Sequence, residues 1–435
     1  MSSLLAVIWN LRMVDPVVES ARIQSLDVLR GFALLGILLL NIIGFGFASA
    51  AYTSPRLTIT NTADFFAWAI VELTAEGAMR AIFSMLFGAG VLLFLGRDDA
   101  GRGVLHYKRT IWLLIFGLID GYLLMWTGDI LVCYALAGFV LYFFRNASSK
   151  RLAIASVIGV ILLTLFNTGA YMSLNAAESA ADYATQLEAK GEVAHEELIA
   201  ARNVWEDFRA EVAPDQAALE EELALRRTSL ATAMTWAFEH MTHQLLSNLP
   251  TILFWDAIVL MIIGMALYRY GFLQGQCSRS VYVRTAVVGF FIGIVVNLYE
   301  IYSAFSADFA LLPAFNLLQP TYHIGRIGMA FGWMSLIILV LVQTSFGQRL
   351  ASVGRMALTN YLMHSLICML VFTGAGLGLI GSLGRAEIYG VVLAIWIFQL
   401  WFSPWWLKRY YYGPVEWLWR LLTYGRAPKQ LKNLA

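Results

Sequence analysis

The chain has 435 residues, of which 59% are hydrophobic and only 14% charged, and its formal net charge is +1 at pH 7. Its mean hydropathy is +0.67. Soluble globular domains carry about 25% charged residues, so the composition excludes a soluble enzyme built around one core. The apolar residues form continuous runs of about 17–25, the length that crosses a bilayer's hydrocarbon layer, whereas a β-barrel would show shorter alternating strands. The sequence therefore predicts an all-α, polytopic helical membrane protein.

About ten membrane spans are predicted from the apolar runs. They lie at residues 28–50, 77–96, 109–125, 129–145, 151–172, 246–268, 285–305, 324–343, 356–373 and 388–406. A shorter apolar and acidic stretch at 63–76 fits an interfacial or re-entrant helix that continues into the second span. The resulting organisation is a cytoplasmic or interfacial tail at 1–24, an N-terminal transmembrane bundle at 25–173, an acidic insert at 174–243, a C-terminal bundle at 244–406 and a basic tail at 407–435.

The charges predict how the chain is oriented. Residues 174–243 hold 14 of the 29 Asp and Glu residues but only 5 of the 30 Lys and Arg residues. With a cytoplasmic N-terminus, 21 basic residues fall in the predicted inside segments, whereas the short outside loops hold only Arg56, Arg326 and Arg385. Basic residues accumulate on the cytoplasmic side of membrane proteins. We therefore expect a bacterial inner-membrane protein with both termini inside and the insert outside.

The insert itself is predicted to be helical. Leu198, Trp205 and Phe208 recur at the spacing of an amphipathic helix, and Pro214-Asp215 is a typical helix start. Two or three helices are therefore expected on the external face, where they offer a surface for a partner protein or for a second copy of the chain.

Polar side chains within the spans are candidates for function, because they are costly in a bilayer. Asp27 and Arg30 share one face at the cytoplasmic mouth of the first span, and Asn41 lies about 16 Å deeper, near the midplane. The further candidates are Asp120, Asp256, His364 and Gln399 near the middle of their spans, Asn360 one helical turn from His364, and Glu76, Arg80, Asp129, Glu300, His323 and Arg326 toward the external ends.

Structural roles compete with each of these functional ones. Asp27 and Arg30 also fit a helix start with a topology-setting arginine, and Glu76 with Arg80 fits a charge-neutral bridge. Buried amides and histidines such as Asn41 and His364 often only link helices. The sequence has no convincing metal-ligand set, phosphate-binding glycine loop or nucleophile elbow. We therefore expect no metal, and since the basic residues follow topology, no nucleic acid.

Several stretches of the sequence resemble a known family. The string Asp27-x-x-Arg30-Gly31, followed by Asn41, resembles the opening of the membrane acyltransferase superfamily, which includes the acyltransferase-3 proteins and the heparan-α-glucosaminide N-acetyltransferases. More specifically, the chain resembles the YeiB-like family (domain of unknown function 418). The stretches that carry this resemblance are residues 80–90, 126–131, 264–268, 354–361 and 413–424.

The superfamily resemblance implies a reaction. An acyl group passes from cytoplasmic acyl-CoA to a hydroxyl or amine acceptor, such as a glycan, a lipid or an envelope component, at the external face. Asp27 and Arg30 would then face the donor, and Arg30 would pair with its phosphate. Acyltransferase-3 proteins have their working histidine where this chain has Asn41, so Asn41 is left as a candidate oxyanion donor. The candidate general bases are His364, His323, Asp120 and Asp256. The remaining candidate substrate-binding residues are Glu76, Arg80, Asp129 and Asn360.

Two other functions fit the same residues. The polar side chains near the midplane also suit a transporter or flippase for a small or lipid-like substrate. A non-catalytic scaffold that recruits a partner through the acidic insert is the third possibility. Membrane lipids are expected contacts in every case.

Overall fold

The computed structural model describes residues 22–96 and 102–432. Most of the predicted tail at 1–24 lies outside the described residues. Within them the chain is helical, and its β-structure is one isolated bridge between Tyr410 and Leu431. The helices are α1 (Gln24–Gly46), α2 (Thr62–Thr74), α3 (Ala78–Leu95), α4 (Arg102–Tyr122), α5 (Leu131–Leu141), α6 (Ser149–Ala189), α7 (Glu196–Val212), α8 (Gln216–Thr228), α9 (Leu230–His243), α10 (Phe254–Arg269), α11 (Arg279–Ser306), α12 (Leu311–Ala314), α13 (Tyr322–Val340), α14 (Ser345–Arg355), α15 (Ala357–Phe372), α16 (Arg385–Arg409) and α17 (Pro414–Tyr424).

The helices confirm a multi-pass membrane protein. In the described part of the chain, seven helical segments are long and apolar enough to cross a membrane, and an eighth is added if α14 and α15, bent by 78°, form one broken span. These coincide with eight of the ten predicted spans. The other two, 109–125 and 129–145, coincide with α4, which carries more charged residues, and with α5, which has only 11 residues.

The stretch predicted at 63–76 corresponds to α2 and the turn that follows it. Together α2 and α3 form one 34-residue segment, Thr62–Leu95, which is interrupted at Gly77. Gly77 has a φ of +62°, a left-handed conformation that glycine adopts without a steric penalty. The side chains of Tyr322 and Arg326 pack against this glycine where a Cβ atom would lie. The break therefore makes room for polar side chains inside the bundle.

Helices α1 and α3 form the centre of the bundle. In their most apolar windows 72% and 67% of the residues are buried, compared with 17% for α6 and 22% for α11, which lie at the periphery. The two central helices pack against each other, and α1 also contacts α14, α15 and α16. Because α1 and α3 are surrounded by other helices, the side chains at both of their ends lie inside the protein.

Helices α1 and α14 cross at two glycines. A Cβ atom added to Gly31 would collide with the backbone carbonyl of Leu350, and one added to Gly354 would collide with the carbonyl of Asp27. Neither backbone can move aside as a flexible side chain does. The glycine of the Asp27-x-x-Arg30-Gly31 string therefore serves a close helix crossing, a known use of small residues in membrane bundles.

Replacing Gly354 by valine is expected to destabilise the bundle by about 1–3 kcal/mol, the usual cost of overpacking a close contact. The thermal midpoint of the detergent-solubilised protein would measure this. Gly169→Ala is the matched control, because nothing lies within 4 Å of a Cβ atom at that helical position. If the Gly354→Val protein were as stable as the Gly169→Ala protein, the close contact between helices α1 and α14 at Gly354 would be refuted.

The acidic insert begins in one long helix and ends in another. Helix α6 is continuous from Ser149 to Ala189, and α9 continues through a π-helical segment (Gln244–Leu253) into α10. Helices α7 and α8 lie between them, as the sequence predicted, and Asp215 caps α8 by accepting a hydrogen bond from the Ala218 amide at 2.8 Å. The predicted apolar face of α7 is anchored by Trp205, which is buried in one cluster with Leu312.

Arg226 fastens the insert to the C-terminal end of α1. Its guanidinium group donates hydrogen bonds to the carbonyl oxygens of Gly44 at 2.8 Å and Phe47 at 2.9 Å, and it pairs with Glu222 at 2.9 Å. The last carbonyls of a helix have no partner within the helix and carry partial negative charge. A buried arginine therefore caps the central helix α1. The insert lies against this end of the bundle, which we call the insert end.

Arg226→Ala is expected to lower stability by about 3–5 kcal/mol, because it leaves Glu222 and the carbonyls of the α1 terminus without their cation. The insert should then loosen, so trypsin should cut within residues 190–230 faster than in the wild type. Arg209→Ala, an exposed change in the same insert, is the control. Equal cleavage rates for the two variants would show that Arg226 does not hold the insert.

Candidate functional site

A cavity of about 260 Å³ opens at the end of the bundle opposite the insert, where α1 begins and α3 ends. Five arginines line it, and we call them the arginine mouth: Arg22, Arg30, Arg109, Arg355 and Arg420. Arg22 and Arg30 come from the start of α1, Arg109 from α4, Arg355 from the end of α14 and Arg420 from α17. The bundle thus gathers positive charge from four helices at one opening.

The deeper part of the cavity is apolar. Phe83, Leu86 and Phe87 line it from α3, and Tyr134 from α5 and Tyr361 from α15 line its inner part. The first and last lining residues of α3, Phe83 and Phe94, are eleven positions apart, which corresponds to about 16 Å along the helix axis. The cavity is therefore amphipathic, with cations at the opening and aromatic and aliphatic walls inside.

Aromatic rings hold two of the mouth arginines in place. The guanidinium carbon of Arg109 lies 4.2 Å from the ring centre of Phe94 and 4.4 Å from that of Trp419, and the carbon of Arg420 lies 4.3 Å from the ring of Tyr412. Stacking covers the faces of a guanidinium group, while its N–H bonds point outward in its plane. Arg109 and Arg420 therefore present hydrogen-bond donors edge-on, in the geometry that suits phosphate or carboxylate.

The last helix, α17, forms one wall of the cavity and is tied down by Glu416. The Glu416 carboxylate accepts hydrogen bonds from the backbone amides of Leu358 at 2.7 Å and Thr359 at 3.0 Å, and from the Thr359 hydroxyl at 2.5 Å. These amides belong to the first turn of α15, where a negative charge is favourable. Burial raises the pKa of Glu416, and the hydrogen bonds from Thr359 act in the opposite direction.

The predicted column of Asp27, Arg30 and Asn41 separates in the structure. Asp27 forms ion pairs with Arg30 at 3.0 Å and Arg22 at 3.3 Å, so it positions two arginines of the mouth. Asn41 is partly buried, has no side-chain hydrogen bond to another described residue, and is not among the residues that line the cavity. Of the three residues, only Arg30 faces the cavity.

Glu76, Arg80, Asp256, His323 and Arg326 meet on the insert side of the cavity and form a buried charge cluster. Arg326 binds Asp256 through two nitrogens, and Arg80 contacts the same carboxylate at 3.2 Å. The side chains of Asp256, His323 and Arg326 are each only 1% exposed. The charge of Asp256 is thus shared between two arginines.

Tyrosine hydroxyls extend this cluster toward the insert end. The Glu76 carboxylate accepts hydrogen bonds from the hydroxyls of Tyr322 at 3.3 Å and of Tyr52. Tyr52 is 47% exposed. Polar contacts therefore run from the surface to the buried carboxylate of Asp256.

The hydrogen bonds of the two candidate histidines determine what each can do. Arginine has no lone pair to offer, so Nδ1 of His323, 2.6 Å from a nitrogen of Arg326, must be the acceptor. Neutral His323 therefore carries its proton on Nε2, which is buried and has no hydrogen-bond partner among the described residues. In this state Nε2 is a donor, so the arrangement does not favour His323 as the general base.

His364 belongs to a separate network. Its Nε2 lies 2.9 Å from Oε1 of Gln399, whose Nε2 donates to the backbone carbonyl of Asn360 at 3.0 Å. The Asn360 amide in turn donates to Ser403 at 3.0 Å. These side chains link α15 to α16, and none of the four lines the cavity. Their arrangement matches the helix-linking role that the sequence also allowed.

One helical turn separates the cavity from the buried charge cluster. Phe83, which lines the cavity, and Arg80, which belongs to the cluster, are three residues apart on α3. Ser84, next to Phe83, donates to the carbonyl of Arg80 at 2.9 Å and lies 2.5 Å from the hydroxyl of Tyr134. The separation between the two polar regions is therefore about 4.5 Å along this helix.

Two aspartates lie behind the inner wall of the cavity, on the far side of Tyr361. Asp129, just before α5, accepts hydrogen bonds from the Val132 amide at 2.8 Å and the Tyr361 hydroxyl at 3.3 Å. Asp120, near the end of α4, is 0% exposed. The residues described by the structure contain no group of three or more His, Cys, Asp or Glu side chains placed to hold a metal ion.

Several residues of this site are not among the candidates predicted from the sequence. Arg109 is predicted only as one of the basic residues of the inside segments. Tyr361, Glu416 and Arg420 lie in stretches that carry the family resemblance. Residues 80–90, 354–361 and 413–424 all contribute to the cavity. The sequence offered one signal for this site. The three stretches are distant in sequence but all resemble the same family, which is consistent with one shared site.

The fold and the cavity define a class of protein: a multi-pass helical membrane protein with a cation-lined, apolar cavity at one end. The family model described as "Protein of unknown function (DUF418)" matches residues 267–426. "Uncharacterized protein YeiB" of Escherichia coli K12 is 34% identical over 406 residues, covering 92% of this chain and 95% of the relative. The chain therefore belongs to the YeiB-like, DUF418 family. "Uncharacterized protein YxaH" of Bacillus subtilis is 28% identical over 429 residues, which cover 94% and 96% of the two chains.

Proposed function

We propose that the protein is a transmembrane acyltransferase that moves an acyl group from acyl-CoA to a hydroxyl or amine acceptor at the opposite membrane face. The observation that carries this proposal is the cavity, whose chemistry matches both parts of such a donor. Arg30, Arg109 and Arg420 bind the phosphates of the donor through charge-assisted hydrogen bonds. The arm of the donor that carries the acyl group extends through the apolar interior past Phe87, so that the acyl group lies at the level of Phe83.

The proposal includes an orientation. The arginine mouth faces the cytoplasm, where acyl-CoA is found, and basic residues are typical of that side. All ten predicted spans then cross or enter the inner membrane, both termini lie inside, and the insert lies outside. The acceptor, a glycan, lipid or other envelope component, approaches from the insert end past Tyr52 and Glu76. Asn41, Arg80 and His323 are the candidate donors of hydrogen bonds on that side.

The short barrier between the cavity and the buried charge cluster supports transfer across the membrane. A donor that fills the cavity brings its thioester to the level of Phe83 and Tyr134, one turn of α3 from Arg80. An acceptor that enters among the cluster residues needs to cross only that turn. Bringing the two reactants together in this way is a large part of what an enzyme contributes to a transfer reaction.

Binding and turnover of acyl-CoA by the purified protein test this proposal. A panel of donors from acetyl-CoA to palmitoyl-CoA would be offered in detergent and in nanodiscs, with free CoA release measured by thiol titration. We expect binding that weakens with salt and release of CoA that increases when a polyhydroxyl or amine acceptor is added. A protein that neither binds nor turns over any donor in the panel would refute the proposal.

A second candidate function is a transporter or flippase, and the same short barrier favours it. A substrate with an anionic head could pass from the arginine mouth to the buried charge cluster if the turn at Ser84 opened. Proteoliposomes loaded with a fluorescent anionic lipid or a pH dye would report such movement. Flux through the wild-type protein, without any CoA release, would favour transport over acyl transfer.

A further inference from the structure

The carboxyl groups of Asp120 and Asp129 form a close pair inside the bundle. The carboxyl group of Asp120 is approached by that of Asp129 and by the hydroxyl of Ser365. Gly117, one turn before Asp120 on α4, makes this possible, because a Cβ atom there would lie 2.7 Å from an oxygen of Asp129. The side chains of Asp120, on α4, and Asp129, just before α5, therefore meet beside the glycine of α4.

The two members of the pair have unequal surroundings. Asp129 accepts hydrogen bonds from the amide of Val132 and the hydroxyl of Tyr361. Neither carboxyl oxygen of Asp120 has a partner with ordinary hydrogen-bond geometry among the described residues, although the group is completely buried. An ionised carboxylate in such a place is very costly. The negative charge therefore belongs on Asp129, and a proton belongs on Asp120.

The groups around the pair do not supply a counterion. Tyr361, on α15, donates its hydroxyl proton to Asp129, whereas the thiol of Cys133, on α5, donates to the carbonyl of Leu253. Among the described residues, no arginine, lysine or histidine forms a hydrogen bond or an ion pair with either carboxyl group. Arg80 and Asp256, in the buried charge cluster, bind each other. Two adjacent buried carboxylates without a cation cannot both stay ionised, so a proton takes the place of the cation.

The pair lies directly behind the wall of the cavity. Tyr361 lines the cavity with its ring and donates its hydroxyl proton to Asp129, and Leu131, which also lines the cavity, is two residues from Asp129. Asp129 itself is partly exposed, whereas Asp120 is not. Asp129 is therefore the member of the pair that is linked to the cavity, through the hydroxyl of Tyr361.

We propose that Asp120 and Asp129 share one proton at neutral pH and together act as the proton acceptor of the site. This role rests on the proposed acyl transfer. The acceptor oxygen or nitrogen forms a bond to the acyl carbon, the carbon–sulfur bond breaks, and the acceptor's proton moves to the singly protonated pair. The doubly protonated pair then returns one proton to the thiolate sulfur of CoA, so free CoA leaves as the thiol and the pair regains its starting state.

Labelling with dicyclohexylcarbodiimide tests the shared proton without any assay of activity, because this reagent modifies protonated carboxyl groups in apolar surroundings. We expect mass spectrometry of the wild-type protein at pH 7 to find the adduct on Asp120. Asp120→Asn should remove it, and Asp308→Asn, a change at an exposed ion pair, should not. A wild-type protein that carries no adduct on Asp120 between pH 5 and 8 would overturn the shared proton.

Kinetics test the second part of the proposal. Asp120→Asn and Asp129→Asn are expected to lower turnover by roughly 10²–10⁴-fold, the range for loss of general acid–base catalysis, while acyl-CoA binding stays unchanged. Tyr361→Phe, which keeps the ring, should alter the acidic limb of the pH–rate profile, because that limb reports protonation of the pair. Size-exclusion profiles confirm that each variant folds.

The outcomes separate this inference from the proposed function. Wild-type turnover with unchanged rates and pH profiles in all three variants would overturn the inference alone. The wild-type protein could instead be labelled on Asp120 but neither bind nor turn over acyl-CoA. This result would overturn the proposed function and the catalytic role of the pair, but it would support the shared proton.

Discussion

Arg109→Ala is expected to weaken acyl-CoA binding by roughly 10- to 150-fold, which corresponds to the loss of about 1.5–3 kcal/mol from a hydrogen bond to a charged group. The effect should be large because Arg109 is held between the rings of Phe94 and Trp419. Its side chain is ordered before the ligand arrives, so little conformational entropy is lost on binding. Titration of the purified protein with a fluorescent acyl-CoA would measure the change.

Two controls make the Arg109 result specific. Arg349 lies on α14, near the same end of the bundle, but is exposed and does not line the cavity. Arg349→Ala therefore makes the same change in net charge and should leave binding nearly unchanged. Arg109→Lys keeps the charge but loses the planar donor edge, and its affinity should fall between those of the wild type and Arg109→Ala. Equal weakening by Arg109→Ala and Arg349→Ala would indicate general electrostatic attraction instead of a defined binding site.

The sequence predicted the helical membrane architecture because that property depends on local composition. Each span is a run of apolar residues, and the length needed to cross a bilayer can be counted. Short or polar helices such as α4 and α5 are harder to interpret, since their position depends on what they pack against. The capping role of Arg226 could not be predicted from the sequence either. Arg226 binds carbonyl groups about 180 positions away in the chain, and no local sequence pattern identifies an arginine that caps a distant helix.

The candidate site was predicted in part. The structure has Arg30 in the lining of the cavity, and it brings Glu76, Arg80, Asp256 and His323 together. The sequence could not predict the roles of single residues, because each role depends on which atoms of the side chain already form hydrogen bonds. His323 was a candidate base by residue type alone, but its contact with Arg326 makes Nε2 a donor.

Asp256→Ala is expected to be the most destabilising single change considered, because it removes the carboxylate that neutralises the buried Arg326 and the partly buried Arg80. Breaking a buried pair by removing one partner typically costs about 3–5 kcal/mol. Here Arg326 is only 1% exposed and would lose both of its hydrogen bonds to Asp256, while Arg80 would lose its contact with the same group. We expect a large drop in the thermal midpoint and loss of the monodisperse peak in size-exclusion chromatography.

The double variant Asp256→Asn with Arg326→Gln distinguishes charge from packing as the cause. This pair of changes removes one negative and one positive charge while nearly keeping the volume and the capacity for hydrogen bonds. If uncompensated charge is the cause, the double variant should be more stable than Asp256→Asn alone, since replacing a whole buried ion pair is often close to neutral. A double variant at least as unstable as the sum of the two single changes would show instead that the geometry around Tyr322 and His323 requires the ions themselves.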